Sequence, residues 1–252
     1  MTNKFVWHDL MTTDVEGAKR FYSAVIGWKA QDSSMPGGPY TVLYAGDDSV
    51  TVIMPIPEDQ KDLPPCWTGH IGVDDVDAWT ARVTDRGGSL LKGPLDVPGA
   101  GRIAVVADPH GAVFILFDAV PGSLPPEVPM DTPGRFAWNE LFAGDAKEAV
   151  AWYADLFGWA PDEAHDMGAF TYHTLKTGGE TSSVGIMTKL PDMPEPFWGY
   201  YVWVGGIEAA AGRVKANGGE VLMGPHEVPG GAWIINCRDP QGAFFNLLGT
   251  RE

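Results

Sequence analysis

Lysine and arginine are scarce in this chain: 17 stand against 33 aspartates and glutamates, a formal net charge of −16. Phosphate recognition needs clustered cationic side chains, so nucleic acid and anionic membrane surfaces are not expected as partners. Cysteine is rarer still. Cys66 and Cys237 fall at non-equivalent points of the sequence and imply no disulfide framework, so each reads as a buried free thiol. No apolar run approaches the roughly 18 residues that span a membrane. The N-terminal stretch Met-Thr-Asn-Lys-Phe-Val-Trp-His-Asp lacks the apolar core of a signal peptide, and a cytoplasmic location is expected. A Gly-rich phosphate loop is missing, and no Ser-His-Asp spacing stands out. With 44% hydrophobic and 20% charged residues over 252 positions, the chain has the makings of a globular protein long enough for two ordinary domains.

What the sequence does have is an internal duplication. Asp14 matches Asp145, Trp28 matches Trp159, Trp67 matches Trp198, and Asp108-Pro109 matches Asp239-Pro240. Each offset is 131 (145 − 14, 159 − 28, 198 − 67, 239 − 108). A constant offset over about a hundred residues means two copies with almost no net insertion. Between them, residues 121–134 are rich in proline and read as a stiff spacer. The expected organisation is a first domain over 1–120, a linker over 121–134 and a second domain over 135–252.

Within the first copy, residues 4–11 read as a strand. Asp14 stands at a helix N-cap, and Val15, Ala18, Phe21, Tyr22 and Val25 recur at helical spacing up to Gly27. Residues 40–46 and 49–54 read as strands, followed by a polar connection over 58–65. A strand over 66–74, a helix from Asp75 to Gly87, and strands over 89–92, 101–107 and 112–118 follow. The residue pattern alone gives β-α-β-β and then β-α-β-β-β. His110 and His165 read as exposed turn residues, and His8 as a structural residue on the helix side.

A strand, an Asp at the helix N-cap, Phe-Tyr and Gly-Trp, and Asp-Pro-x-Gly before a last strand together resemble the vicinal oxygen chelate superfamily. That superfamily includes glyoxalase I, bleomycin-resistance proteins and extradiol dioxygenases. The text Trp-x-Glu/Asp-Leu-Met-x-x-Asp is similar to its tandem-domain actinobacterial branch, whose members carry glyoxalase-like or hydroxylase labels. The resemblance covers essentially the whole chain, twice. It implies an α+β fold of two tandem glyoxalase-like domains, each of paired βαβββ modules forming a curved sheet around a cleft. It also implies ligand positions for a divalent metal: one seven residues before the capping acid on each first strand, and a Glu four residues after the Gly of Asp-Pro-x-Gly. Those positions hold Trp7, Thr68 and Ile115 in the first copy, and Trp138, Gly199 and Asn246 in the second. Tryptophan, glycine and isoleucine side chains do not ligate such an ion. No metal and no other cofactor is therefore expected.

Side chains two apart on a strand share a face. If Trp7 lines the cleft, Asp9 and Met11 do too, and if Thr68 does, so does His70. In the second copy the same reasoning gives Trp138, Glu140 and Phe142, then Gly199 and Tyr201. Each cleft is expected to hold aromatic surface with a carboxylate and a titratable partner: Asp9 with His70, Glu140 with Tyr201. These four are the candidate catalytic residues. Trp7, Met11, Thr68, Trp138, Phe142, His173 and Asn246 are candidate substrate contacts. Trp28, Trp159, Trp67 and Trp198 read as core or back-face packing. The expected function is metal-independent acid/base catalysis, of isomerase, lyase or cyclase type, on a small carbonyl-bearing or aromatic metabolite. The alternative is a sequestering protein like the bleomycin-resistance members, with stacked tryptophan holding a planar cation. An oxygenase using a substrate-borne or external cofactor rests on family labels alone. The partner is a small-molecule ligand. A monomer suffices to complete both clefts, and a dimer is compatible.

Overall fold

A computed structural model describes residues 3–35, 38–191, 193 and 195–252, with backbone only at 34, 35, 38 and 39. The first repeat runs β1 (Phe5–Thr12), α1 (Val15–Val25), β2 (Lys29–Met35), β3 (Gly38–Ala45), β4 (Asp48–Pro55), a 3₁₀ turn (Glu58–Gln60), β5 (Cys66–Gly72), α2 (Val76–Asp85), β6 (Ser89–Val97), β7 (Gly101–Ala107) and β8 (Val113–Ala119). The second runs β9 (Phe136–Ala143), α3 (Ala146–Phe157), β10 (Ala160–Asp166), β11 (Thr171–Lys176), β12 (Val184–Thr188), β13 (Phe197–Gly206), α4 (Ile207–Ala216), β14 (Glu220–Glu227), β15 (Trp233–Arg238) and β16 (Phe244–Thr250). The strands order as β2-β3-β4-β1-β5-β8-β7-β6 and β10-β11-β12-β9-β13-β16-β15-β14, two mixed eight-stranded sheets in an α+β fold.

All four modules are βαβββ. The residue pattern misses β2 and β10, and the reason is physical. Lys-Ala-Gln-Asp-Ser-Ser-Met and Ala-Pro-Asp-Glu-Ala-His-Asp are polar, because an edge strand is paired on one side only and buries little. His165 accordingly lies in a strand rather than a turn, its Nε2 3.1 Å from the Glu163 carboxylate.

The helices begin where the acids stand. Asp14 accepts from Gly17 N–H, Asp75 from Ala78 N–H, and Asp145 from both Lys147 and Glu148 N–H. At α4 the equivalent residue is Gly206, which has no side chain to cap with. Gly158 ends α3 in the left-handed conformation at φ 74°.

The chain forms two compact units that cut across the sequence repeats. One comprises Met1–Trp7, Thr68–Leu124 and Trp138–Gly199; the other comprises His8–Trp67, Pro125–Ala137 and Tyr200–Glu252. Each unit thus takes one module from each repeat.

In the second unit, α1 packs on α4. Tyr22 donates to Asp239 Oδ2 at 3.0 Å, and Trp67 Nε1 donates to the Tyr22 oxygen at 2.9 Å. Asp239 Oδ1 meanwhile accepts from the backbone of Gln241 and Ala243. Trp28 Nε1 donates to the carbonyl of Gly134 at 2.7 Å. His8, on the helix side as expected, stacks on Phe136 with ring centroids 3.8 Å apart.

The first unit repeats the arrangement. Tyr153 donates to Asp108 Oδ2 at 3.3 Å, Trp198 Nε1 donates to Tyr153 at 3.2 Å, and Asp108 Oδ1 accepts from His110 and Ala112 N–H. Trp159 Nε1 donates to the carbonyl of Asn3. Trp79 stacks on Phe157 at 5.2 Å. His110 is not the free turn residue its position suggests: Nδ1 accepts from Asp145 N–H at 3.1 Å and Nε2 lies 2.9 Å from Glu148. The four core tryptophans 28, 67, 159 and 198 are all buried, as a packing role requires. Burial pushes both Asp108 and Asp239 above the ordinary carboxylate range, against the lowering effect of their hydrogen bonds. Cys237 is buried, whereas Cys66 is only half-buried, in contrast to the expectation for it.

Candidate functional site

In the first unit, β9 pairs in parallel with β12, and β12 pairs antiparallel with β11. Glu140 stands opposite Gly185, and Gly185 opposite Thr174; Leu141 stands opposite Ile186, and Ile186 opposite His173. Alternation puts these two rows on opposite faces. Leu141, Ile186 and Leu175 are fully buried against the α3 side. Glu140, Trp138 and Phe142 occupy the other face.

On that face three side chains form a relay. Trp138 Nε1 donates to the Tyr172 hydroxyl oxygen at 2.9 Å. Tyr172 is hydrogen-bonded in turn to the Glu140 carboxylate. The phenol oxygen already accepts the indole proton, so the phenol's own proton points to Glu140. Burial first, then the charge of Glu140, pushes the Tyr172 phenol well above its usual range, so it stays protonated. Glu140 is only 7% exposed. A carboxylate removed from water needs a donor, and here Tyr172 supplies one. Phe142 extends the same face and stacks on Phe197 at 4.7 Å.

His173 is not part of this face. Its register with Ile186 turns it to the side of Leu141 and Leu175, where its Nε2 is buried without a partner among the described residues. The expected contact from His173 to the Glu140 face is therefore corrected, and Tyr172, one residue earlier, takes the place. Alternation along β11 carries that signal, but an imidazole draws more attention than a phenol in a sequence read for chemistry.

The same unit holds Thr68, His70 and Trp7, so the expected pairing of Asp9 with His70 and of Glu140 with Tyr201 is corrected: because each unit takes one module from each repeat, His70 shares its unit with Glu140, and Asp9 shares the other with Tyr201. His70 stands opposite Ile115, is buried, and meets Phe117 edge-on at 5.4 Å. Thr68, two residues earlier, shares that face. Trp7 is half-buried.

In the second unit, Asp9 stands opposite Val52 and Met11 opposite Met54, all four half-buried. On β13, β16 and β15 of this unit, Tyr201, Asn246 and Asn236 lie side by side. Asn246 Nδ2 donates to the Tyr200 carbonyl, which leaves its Oδ1 to accept from Asn236 Nδ2 at 2.6 Å. Asn236 Nδ2 also donates to the Tyr201 hydroxyl at 3.2 Å. Tyr201 thus has an amide partner, Asn236, that sequence reasoning did not nominate.

The divalent metal that the resemblance implies does not fit these donors. Trp7, Thr68 and Ile115 offer one hydroxyl among them. Of Trp138, Gly199 and Asn246, Asn246 alone has a ligating atom, and its carboxamide is engaged with Asn236 and Tyr200. No group of three or more His, Cys, Asp or Glu with metal-holding geometry occurs among the described residues. No helix among them is long and apolar enough to cross a membrane.

Comparison with known proteins agrees with this architecture. The family model of the Glyoxalase/Bleomycin resistance protein/Dioxygenase superfamily matches residues 4–116 and again 135–247. The chain is 32% identical over 248 residues to the Mycobacterium tuberculosis protein named "Putative glyoxylase CFP32", covering 96% of this chain and 93% of that one. It is 30% identical over 262 residues to the anthracycline biosynthesis protein DnrV of Streptomyces peucetius, covering 98% and 93%. Among solved structures it is similar in fold to the Mn(II)-bound glyoxalase of Novosphingobium aromaticivorans, with a TM-score of 0.70, 17% identity, and 100% and 83% coverage. A 2,2',3-trihydroxybiphenyl 1,2-dioxygenase of Sphingomonas wittichii gives a TM-score of 0.71 at 14% identity, with 99% and 91% coverage. With its two matched halves and full-length relatives, the chain belongs to the Glyoxalase/Bleomycin resistance protein/Dioxygenase superfamily.

Proposed function

We propose that this chain is a metal-independent acid/base enzyme acting on a small, carbonyl-bearing, planar aromatic metabolite, with Glu140 as the base. The observation that carries the reading is the Trp138–Tyr172–Glu140 relay, with half-buried aromatic members and a buried carboxylate. Its direction of donation holds Glu140 as an oriented carboxylate and keeps Tyr172 protonated. Glu140 takes a proton from a carbon next to a carbonyl, and the C–H electron pair passes into the enolate. The protonated Glu140 exchanges with solvent and then gives one proton back to the enolate, at the same carbon or at another atom, so that an exchange or an isomerisation is completed with atoms and charge balanced. The indole face of Trp138 is suited to hold a flat ring. The substrate class is supported by the anthracycline biosynthesis relatives, since anthracyclines are fused-ring compounds carrying carbonyl groups. The Glu140→Gln variant tests it. With an anthracyclinone as probe in deuterated water, deuterium uptake at carbon falls about 100-fold or more while binding persists. Unchanged uptake refutes the role.

A second reading, a non-catalytic sequestering protein, is favoured by the net charge of −16 and the half-buried indoles of Trp7 and Trp138. Quenching of tryptophan fluorescence by planar cations, with no product or deuterium uptake at any probe, selects it.

A further inference from the structure

The two repeats carry the same strand text but do not build the same centre. We infer that the acid/base centre is assembled in the second repeat and not in the first, and that Gly185 decides which. The inference rests on the reading of Glu140 given above and deepens it.

Glu140 stands opposite Gly185, which stands opposite Thr174; in the first repeat Asp9 stands opposite Val52, which stands opposite Val42. Gly185 and Val52 are therefore equivalent. So are Tyr172 and Tyr40, each two residues before the β11 or β3 member of its row. Both repeats have the tryptophan, the carboxylate and the tyrosine. They differ in the reach of the carboxylate, aspartate against glutamate, and at the residue beneath the tyrosine, which is the difference that bears on the phenol.

That residue sets where the phenol can lie. A Cβ at Gly185 would overlap the Tyr172 hydroxyl outright and would come within 2.9 Å of Trp138 Nε1. The phenol oxygen crosses the strand where a side chain would otherwise stand, and that crossing brings it between the indole N–H and Glu140. In the first repeat Val52 fills the same position with a Cβ and two methyl groups. Tyr40 and Tyr172 are both half-buried, but only Tyr172 has a hydrogen bond to its hydroxyl among the described residues. The ring that orients the carboxylate in the second repeat thus has no room to do so in the first. Outside this centre the two repeats contribute alike, the first supplying Tyr22, Trp28 and Asp108 and the second Tyr153, Trp159 and Asp239 to the buried networks of the two units.

Tyr172 and Gly185 are positioning residues, acting through Glu140. Their signature is the protonation of Glu140 itself. Losing the phenol donor raises the Glu140 pKa, so the acid limb of the pH–rate profile moves upward by about one pH unit.

The experiment compares Tyr172→Phe, Tyr40→Phe, Gly185→Val and the milder Gly185→Ala in the full chain. Two readouts are taken: the pH profile of deuterium uptake by an anthracyclinone probe, and the indole N–H resonance of ¹⁵N-labelled Trp138. Tyr172→Phe and Gly185→Val are expected to shift the acid limb up and move the Trp138 resonance. Tyr40→Phe is expected to leave both at their wild-type values. If Gly185→Val does not fold, Gly185→Ala carries the same expectation, because its Cβ already overlaps the hydroxyl. Equal effects of Tyr40→Phe and Tyr172→Phe overturn the inference, as does a Gly185 variant with an unmoved Trp138 resonance. Failure of the underlying reading looks different. Glu140→Gln then retains uptake, while the Trp138 resonance still reports whether the relay exists and depends on Gly185.

Discussion

The phenol of Tyr22 donates to the carboxylate of Asp239, 3.0 Å away in space and 217 residues along the chain. Tyr153 meets Asp108 in the same way from the other direction. The Phe-Tyr and Asp-Pro-x-Gly motifs of the duplicated text are thus two halves of one contact, each completed by the opposite copy.

Removing the phenol should therefore destabilise the fold rather than alter chemistry. Tyr22→Phe leaves both the Trp67 indole N–H and Asp239 Oδ2 buried without their partner. A loss of about 1–3 kcal/mol is expected from urea denaturation, and a change within error would argue that water takes over the contact.

The pH dependence follows from the direction of the Asp239 and Asp108 shifts. Burial raises both in the folded state, so folding favours their protonated forms. Their contribution to stability is full below the unfolded carboxylate pKa of about 4 and is lost as pH rises through the folded value. Asp239→Asn cannot titrate. The variant's urea midpoint should gain on the wild type as pH rises from about 4 to 7; a constant difference over that range would count against the shift.

Cutting the chain between the repeats provides a third test. Each unit needs a module from both copies, so residues 1–120 and 135–252 expressed separately should lack cooperative melting as monomers and regain it on mixing. A fragment 1–120 that melts cooperatively as a monomer would contradict the role given to the cross-repeat contacts.

Thiol chemistry should separate the two cysteines. Cys237 on β15 is fully buried, and burial pushes its thiol up to about 12. Iodoacetamide at pH 8 should leave Cys237 unmodified in the folded protein and label it after denaturation. Mass spectrometry of peptides gives the answer directly.

Much of this architecture is legible in the residues themselves. The constant offset of 131, the capping acids and the buried tryptophans announce two copies of paired modules, because caps, periodicity and large aromatics are local signals. The edge strands β2 and β10 are not legible, since strands paired on one side carry polar text. The choice of partner for Tyr22 is not legible either: Asp108 and Asp239 lie in the same Asp-Pro-x-Gly context, and nothing nearby distinguishes them. The candidate site divides in the same way. Trp138 and Glu140 follow from alternation on one strand. Tyr172 and Gly185 join them only through register with strands more than 30 residues away, and the value of a glycine there lies in the atoms it lacks.

The exchange of modules also sets an order of assembly on the ribosome. The unit containing Thr68–Leu124 has all of its parts once Gly199 has been made. The other must hold His8–Trp67 in waiting until Tyr200–Glu252 emerges, so its first module stays without its partner for at least 133 residues of translation (200 − 67). At cellular synthesis rates that is about 7–27 seconds. During that interval the apolar face of α1, with Phe21 and Tyr22, is the part of the nascent chain most in need of a chaperone.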